Sequence, residues 1–479
     1  MKYIMILLSL KGKDLYMEAL SAEKVDLFEN MKISKAVAKL SVPTVFACLV
    51  MVLYNLVDTF FVGMLNDPNE TTAVTLVAPV ILLFNMVNNL FGVGTGSLMS
   101  RALGSRDYET VKRTSAFGIY AAALSGVIFS IVSICFRDPI LELLGSYAAD
   151  RSATIGYMEW TVMFGAAPAI LNVVMAYMVR SEGSSLHATI GTVSGCVINM
   201  ILDPFFILPF GLNMGAAGAG CATFIANCVA TLYFVLYILK NRGKTFVSLN
   251  IREAIPSKEI LKEVLGVGVP SAIQNILNVT GMTILNNKMA IYGTEAVSAI
   301  GIAHKLAMIP MYVSMGIGQG IMPLIGYNFS SGNRNRIKQT IRFTVAVSAG
   351  IVLILIASAI VFPGAIISAF MENALVIEYG AAFLRALCCA TPFLALDFLA
   401  VGIFQACGFG KYAFYFAIAR KVVLEIPAIF ILDYLYPMYG IPYSQLCAEI
   451  VLSVAAVILI KKIVSEPRTE KSKVTGGDH

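Results

Sequence analysis

Charged residues are scarce in this sequence: only 13% of the 479 residues are Asp, Glu, Lys or Arg, whereas 58% are hydrophobic. A soluble domain carries about a quarter charged residues, so the composition indicates a membrane protein. The net charge of +6 does not indicate nucleic-acid binding, because most of the basic residues lie in the termini and in alternate short loops. No polar stretch is long enough to form a separate soluble domain.

The motifs of several enzyme classes are also missing. No GxxxxGK[ST] loop occurs, so transport driven directly by ATP is not expected. The three histidines lack the spacing of metal ligands, and none of the nine cysteines forms a CxxC pair. A membrane enzyme such as an acyltransferase would need a His or Ser constellation, and none appears. We therefore expect a protein that is not an enzyme and has no cofactor.

The hydrophobic residues form runs of the length that crosses a bilayer as a helix. Twelve such runs are separated by short polar breaks. They predict transmembrane helices near 37–63, 73–100, 114–136, 155–179, 187–209, 216–239, 262–291, 296–326, 341–363, 378–404, 412–433 and 439–460.

The distribution of Lys and Arg predicts the orientation of these helices. Most of the 35 basic residues fall in the termini and alternate loops, and only Arg137 and Arg151 fall in the loops of the other side. Cytoplasmic loops are enriched in Lys and Arg. We therefore expect a multi-pass protein of the plasma membrane with both termini in the cytoplasm.

An internal repeat divides the chain into two halves. "FGVGTGSLMS" (91–100) has a counterpart in "MGIGQGIMPL" (315–324), 224 positions later, and prolines within the spans recur at similar offsets. Each half holds six spans and begins on the same side. The predicted fold is an all-α integral membrane protein of two six-helix bundles related by a parallel pseudo-two-fold repeat, as in many transporters.

The repeat and the charged segments also predict domain boundaries. A cytoplasmic tail precedes a first lobe, and a basic cytoplasmic linker joins it to a second lobe and a second tail. The predicted ranges are 1–35 for the first tail, 36–240 for the first lobe, 241–260 for the linker, 261–463 for the second lobe and 464–479 for the second tail.

Asp58 is a carboxyl group in the middle of an apolar run, where a charge costs roughly 3 kcal/mol. Asn199 and Asp203 lie four apart on one helical face. We predict that side chains with oxygen atoms converge in the first lobe and bind a proton, or a sodium ion, since hard cations prefer oxygen. The predicted coupling site is Asp58, Asn172, Asn199, Asp203 and Thr223, and its possible sodium ligands are Asp58, Asn199, Asp203 and Thr223.

Other polar residues within the spans are candidates for a substrate cavity or a polar site in the second lobe. The repeat places neutral residues where Asp58 and Asp203 would recur, so the carboxylate pair belongs to the first half alone. The candidates are Tyr54, Asn227, Gln274, Asn278 and Asp397.

The sequence resembles the multidrug and toxic compound extrusion (MATE) transporters, and most closely their bacterial DinF/MepA-like branch. The stretches "VPTVFACLVMVLYNLVDTFFVG", "GVGTGSLMSRALGSRDYE" and "INMILDPFFI" followed by "GAAGAGCAT" carry the resemblance over roughly residues 33–462. It implies a twelve-helix antiporter with the first-lobe ion site on the five residues predicted above. The seventh helix lacks the glutamate that some members use.

The predicted function is therefore multidrug efflux by secondary active antiport. Organic, cationic or amphipathic compounds would leave the cell in exchange for inward H+ or Na+ by alternating access. The expected partners are the small-molecule substrate and the lipid bilayer, and we expect a monomer. The alternative is a lipid-linked saccharide flippase of the same superfamily.

Overall fold

The computed structural model describes residues 24–65, 67–146, 151–370 and 372–465. Within these ranges the regular secondary structure is helical and contains no strand. Most of the first predicted tail (residues 1–23) and nearly all of the second (466–479) lie outside the described residues.

The first lobe consists of six long helices, each coinciding with a predicted span. A short helix, Arg137–Leu144, follows the third of them. The six are α1 (Ile33–Gly63), α2 (Pro68–Gly104), α3 (Tyr108–Cys135), α4 (Arg151–Phe164 and Ala166–Ser181), α5 (Ser185–Ile207) and α6 (Ala216–Lys240).

The second lobe repeats this arrangement after a connection that contains a single 3₁₀ turn, Ile251–Glu253. Its helices are α7 (Lys258–Ala290), α8 (Thr294–Ser330), α9 (Arg334–Val361), α10 (Ala374–Ala406), α11 (Gly410–Ile418, Ala419–Glu425 and Ile426–Leu435) and α12 (Tyr443–Ser465). In the described chain, nine helices are each long and apolar enough to cross a membrane, and the bent α4 makes a tenth. The segmented α11 and the last helix, α12, complete the second bundle.

Three helices are interrupted by π-helical turns. They occupy Asn89–Val93 in α2, Glu159–Phe164 in α4 and Ala419–Glu425 in α11. At Gly165 the axis of α4 bends by 49°. Because a π turn widens the helix and turns side chains to new directions, such turns often lie at functional sites.

The two lobes are joined at the end of the molecule where α1 and α7 begin and α2 and α8 end; we call it the closed end, and the opposite one the open end. Helix α1 packs against α8 there, and α2 packs against α7 and α8. Arg101 of the first lobe forms an ion pair of 2.8 Å with Glu263 of the second. Ser97 also donates a hydrogen bond to the carbonyl of Gln405 across the interface.

The repeated glycines allow this close approach between lobes. A Cβ atom at Gly94 would lie 2.5 Å from the carbonyl oxygen of Val264 in the other lobe. At Gly320 it would lie 2.6 Å from the Cα atom of Ser41. Small residues let helix backbones come together in this way, so these glycines of the repeat serve the lobe interface.

The segment of residues 24–31, which we call the N-terminal clasp, contacts both lobes at the closed end. Lys24 forms an ion pair of 2.9 Å with the buried Glu182 of the first lobe. On the second lobe, the ring of Phe28 stacks on Tyr327 with centroids 4.8 Å apart. Arg336 donates hydrogen bonds to three carbonyl oxygens of the clasp. The clasp therefore adds to the contacts that hold the closed end together.

Candidate functional site

The first-lobe polar cluster lies where α5 packs between α1 and α6. Asn199 and Asp203 project from one face of α5 and are 1% and 0% exposed. The Nδ2 group of Asn199 donates a hydrogen bond of 3.2 Å to Oγ1 of Thr223 on α6. The side chain of Tyr54 on α1 lies beside Thr223, so three helices meet at this threonine.

The two carboxylates of the first lobe are near neighbours on helices that pack together. Asp58 is half-buried on α1, and Asp203 is fully buried on α5. Two buried or half-buried tyrosines, Tyr54 and Tyr157, lie near both carboxylates. Sequence reasoning placed Tyr54 among the cavity candidates and missed Tyr157, which lies on the first segment of α4.

Asn172 on α4 joins the polar cluster through a hydrogen bond to Asn227 on α6. Its amide donates to the carbonyl oxygen of Pro168 at 2.8 Å and to Oδ1 of Asn227 at 3.0 Å. Asn227 lies one turn beyond Thr223 on α6. The structure therefore places Asn172 and Asn227 next to the carboxylate cluster as a bonded pair of amides.

The cluster leaves oxygen atoms without partners. Both carboxylate oxygens of Asp203 and the Oδ1 atom of Asn199 are buried and accept no hydrogen bond. Buried polar atoms are normally paired, and burying a carboxylate without a partner is costly. The donor set fits a proton or a hard cation such as Na+. In the described chain, no group of three or more His, Cys, Asp and Glu residues could hold a metal ion, so a sodium site would depend on amide and hydroxyl oxygens too.

Asp397 of the second lobe lies in a different environment. It is fully buried, and Arg420 of α11 lies 3.0 Å from it. The same guanidinium lies 2.7 Å from Glu449 of α12, and Lys421 lies 2.6 Å from Glu425. Each carboxylate of this network therefore has a cation of the protein beside it.

A central cavity of about 110 Å³ lies between the lobes, next to the contacts of the closed end. The predicted residues Gln274 and Asn278 line it, whereas Asp397 does not. Its polar lining is uncharged. The full lining is Asn89, Val93, Tyr177, Ser271, Gln274, Asn275, Asn278, Met315, Gly318, Gln319, Met322, Phe398, Val401, Gly402 and Gln405.

Most of the amides of this cavity were missed by sequence reasoning. Gln319 stands inside the second glycine motif, and Asn89 begins the π turn that overlaps the start of the first. A search for amides next to the repeated glycines would have found both. Gln405 and Asn275 have no comparable signal, because their position depends on how α10 and α7 are rotated in the bundle.

Known proteins resemble this chain along nearly its whole length. The MatE family model matches residues 43–205 and 270–431, one range in each half of the repeat. The multidrug export protein MepA of Staphylococcus aureus (strain MRSA252) is 33% identical over 458 residues, which cover 95% of this chain and 99% of that protein. MepA of Staphylococcus saprophyticus is 32% identical over 459 residues, with the same coverage.

Solved structures share the fold. A multidrug resistance MATE family transporter of the MOP superfamily, in an outward-facing conformation, superposes with a TM-score of 0.86 at 24% identity, covering 92% of this chain and 98% of its own. A MOP superfamily transporter from Pyrococcus furiosus gives 0.83 at 25% identity, with coverages of 92% and 99%. The predicted architecture of twelve helices in two bundles is confirmed.

Proposed function

Because the chain belongs to the multidrug and toxic compound extrusion (MATE) family of membrane transporters, we propose that it is a multidrug exporter driven by inward flow of H+ or Na+. The relatives that it matches over nearly their whole length are multidrug export proteins. An exporter that is driven by an ion gradient needs a group that binds and releases that ion within the membrane.

The observation that carries this proposal is the pair Asp58 and Asp203 in the first lobe. Two neighbouring carboxylates cannot both ionise cheaply, and Asp203 has two oxygens without a hydrogen-bond partner. A bound proton or sodium ion would neutralise the pair. Loss of that ion would leave a repulsion between α1 and α5 that favours another arrangement of the first lobe.

Exchange follows if the substrate and the ion favour different arrangements. Coupling between two ligands is reciprocal, because each shifts the same equilibrium between conformations. The ion would bind at the first-lobe cluster, and the substrate would bind in the central cavity between the lobes. Since one chain supplies both lobes and the cavity, the proposed unit is a monomer.

The distribution of Lys and Arg supports an orientation in the plasma membrane. If both termini are cytoplasmic, the closed end faces the cytoplasm, and the structure represents an outward-facing state. Alternating access would then require the contacts of α1 with α8, and of α2 with α7, to separate when the cavity opens to the cytoplasm.

The test is efflux from membrane vesicles under a proton gradient and, separately, under a sodium gradient. Asp203→Asn should be expressed and folded, because it keeps the shape of the side chain, but should lose gradient-driven export. Asp58→Asn should behave in the same way, and the double variant should be little worse than either. Asp138→Asn is the matched control, since its carboxylate pairs with Arg151 at the surface.

Normal export by Asp203→Asn and Asp58→Asn, at normal expression and under the same gradient, would show that the carboxylates are structural. The gradient that drives the wild type identifies the coupling ion. If neither gradient drives export while the protein is folded, the proposed function itself is wrong.

A further inference from the structure

Arg180, near the end of α4, is a buried cation without a carboxylate partner. Its side chain is 8% exposed, and its Nε group is buried without a hydrogen-bond acceptor. Its Nη1 group donates a hydrogen bond of 3.3 Å to the amide oxygen of Gln319, across the lobe interface. No ion pair with Arg180 occurs among the described residues.

The other buried cations of the described chain are all compensated. Arg420 lies between Asp397 and Glu449, and Lys421 pairs with Glu425. Arg336 donates to three carbonyl oxygens of the clasp. Glu182, the carboxylate nearest to Arg180 in sequence, is held instead by Lys24 and by the hydroxyl of Thr245.

Arg180 lies directly behind the wall of the central cavity. Gln319, its hydrogen-bond partner, lines the cavity, and so does Tyr177, whose ring lies 5.4 Å from the guanidinium carbon. The wall itself carries amides, a serine and a tyrosine but no carboxylate. The lining therefore has no group that neutralises a cation, and the charged group beside Gln319 and Tyr177 is the cation Arg180.

We propose that Arg180 is a specificity-determining residue that binds an anionic group, such as a carboxylate, of the exported compound. An arginine and a carboxylate form two parallel hydrogen bonds. The buried guanidinium of Arg180 has N–H donors that no protein group accepts, its Nε group among them. When Gln319 turns aside, an anionic oxygen takes the place of its amide oxygen. This inference rests on the proposed export function, and it adds acidic and zwitterionic amphiphiles to the substrate class.

The test uses one xanthene dye in two forms, the free carboxylic acid and its methyl ester, which differ in charge but hardly in shape. Binding to the purified full-length protein is measured by fluorescence polarisation without any gradient. Arg180→Gln should weaken binding of the acid about tenfold, in line with the value of a charged hydrogen bond, and change binding of the ester less than about twofold.

Arg180→Lys keeps the charge but loses the two-pronged geometry. It should weaken binding of the acid less than Arg180→Gln does. If Arg180→Gln does not fold, Arg180→Lys still tests the proposal. Arg385→Gln, at an exposed arginine of α10, is the matched control and should leave both dyes unchanged.

The inference is overturned if the wild type does not bind the acid, or if the Arg180 variants weaken acid and ester equally. An equal loss would assign Arg180 to the lobe interface alone. Vesicle efflux of the same dyes separates the two proposals. If the acid binds through Arg180 but is never exported under either gradient, the export function is wrong and the binding site remains.

Discussion

Gly320→Ala tests whether the closed end must form during transport. The new Cβ atom would lie 2.6 Å from Cα and 2.8 Å from Oγ of Ser41, where ordinary contact begins at 3.4 Å. Backbone of α1 or α8 must therefore move by a large part of an ångström. Overpacking of this kind costs about 1 to 3 kcal/mol. The cost falls only on the conformation with the closed end joined, so the equilibrium shifts away from it by about 5- to 150-fold.

Gly301→Ala is the matched control on the same helix, because a Cβ atom there meets nothing within 4 Å. It should gain up to about 1 kcal/mol of helix propensity equally in every conformation and leave export unchanged. Spin labels at Asn69 and Thr294, on the open ends of the two lobes, measure the distance between them. The labels go into a background that lacks the exposed cysteines.

Gly320→Ala should enrich the shorter distances and lower export, whereas Gly301→Ala should do neither. If Gly320→Ala matches the wild type in both the distance distribution and the export rate, this packing is not part of the cycle. A loss of export in both variants would point to folding, which thermal unfolding would reveal.

Three further outcomes follow from the structure. Phe28→Ala removes a buried ring of the clasp and should likewise enrich the shorter distances between the open ends; an unchanged distribution would make the clasp a passive tail. Cysteines at Asn69 and Lys244 should be labelled from opposite sides of the membrane, and labelling of both from one side contradicts the parallel repeat. A cross-link between residues 67–70 and 291–296 should block export, and full transport by the linked protein would exclude alternating access.

The helices could be predicted because the bilayer imposes a simple rule on the sequence. Every backbone polar group must be satisfied within its own segment, so each crossing reads as an apolar run with polar ends. The predicted spans matched observed helices for this reason, although the helices extend further at many ends. The position of Asn199 and Asp203 on the same face of α5 was predictable from their spacing alone.

The partners of the polar side chains could not be predicted in the same way. Arg420 and Asp397 are 23 positions apart, and Arg180 and Gln319 are 139 apart. Such pairs depend on how each helix is rotated and bent, and the π turns in α2, α4 and α11 change that rotation locally. No pattern in the sequence marked these turns, so the assignment of Asp397 to the cavity or to a separate polar site had to wait for the structure.

The two lobes share a scaffold but solve the problem of buried charge differently. In the second lobe, Arg420 brings a permanent positive charge within 3.0 Å of Asp397 and within 2.7 Å of Glu449, and arginine keeps its proton at any physiological pH. In the described part of the first lobe, no Lys or Arg forms an ion pair with Asp58 or Asp203. Under the proposed function, a proton or a cation from outside the chain would supply this positive charge, and an ion that is supplied from outside can also leave. The asymmetry of the repeat therefore supports our proposal that ion coupling belongs to the first lobe, with the second lobe as the partner against which the first one would move.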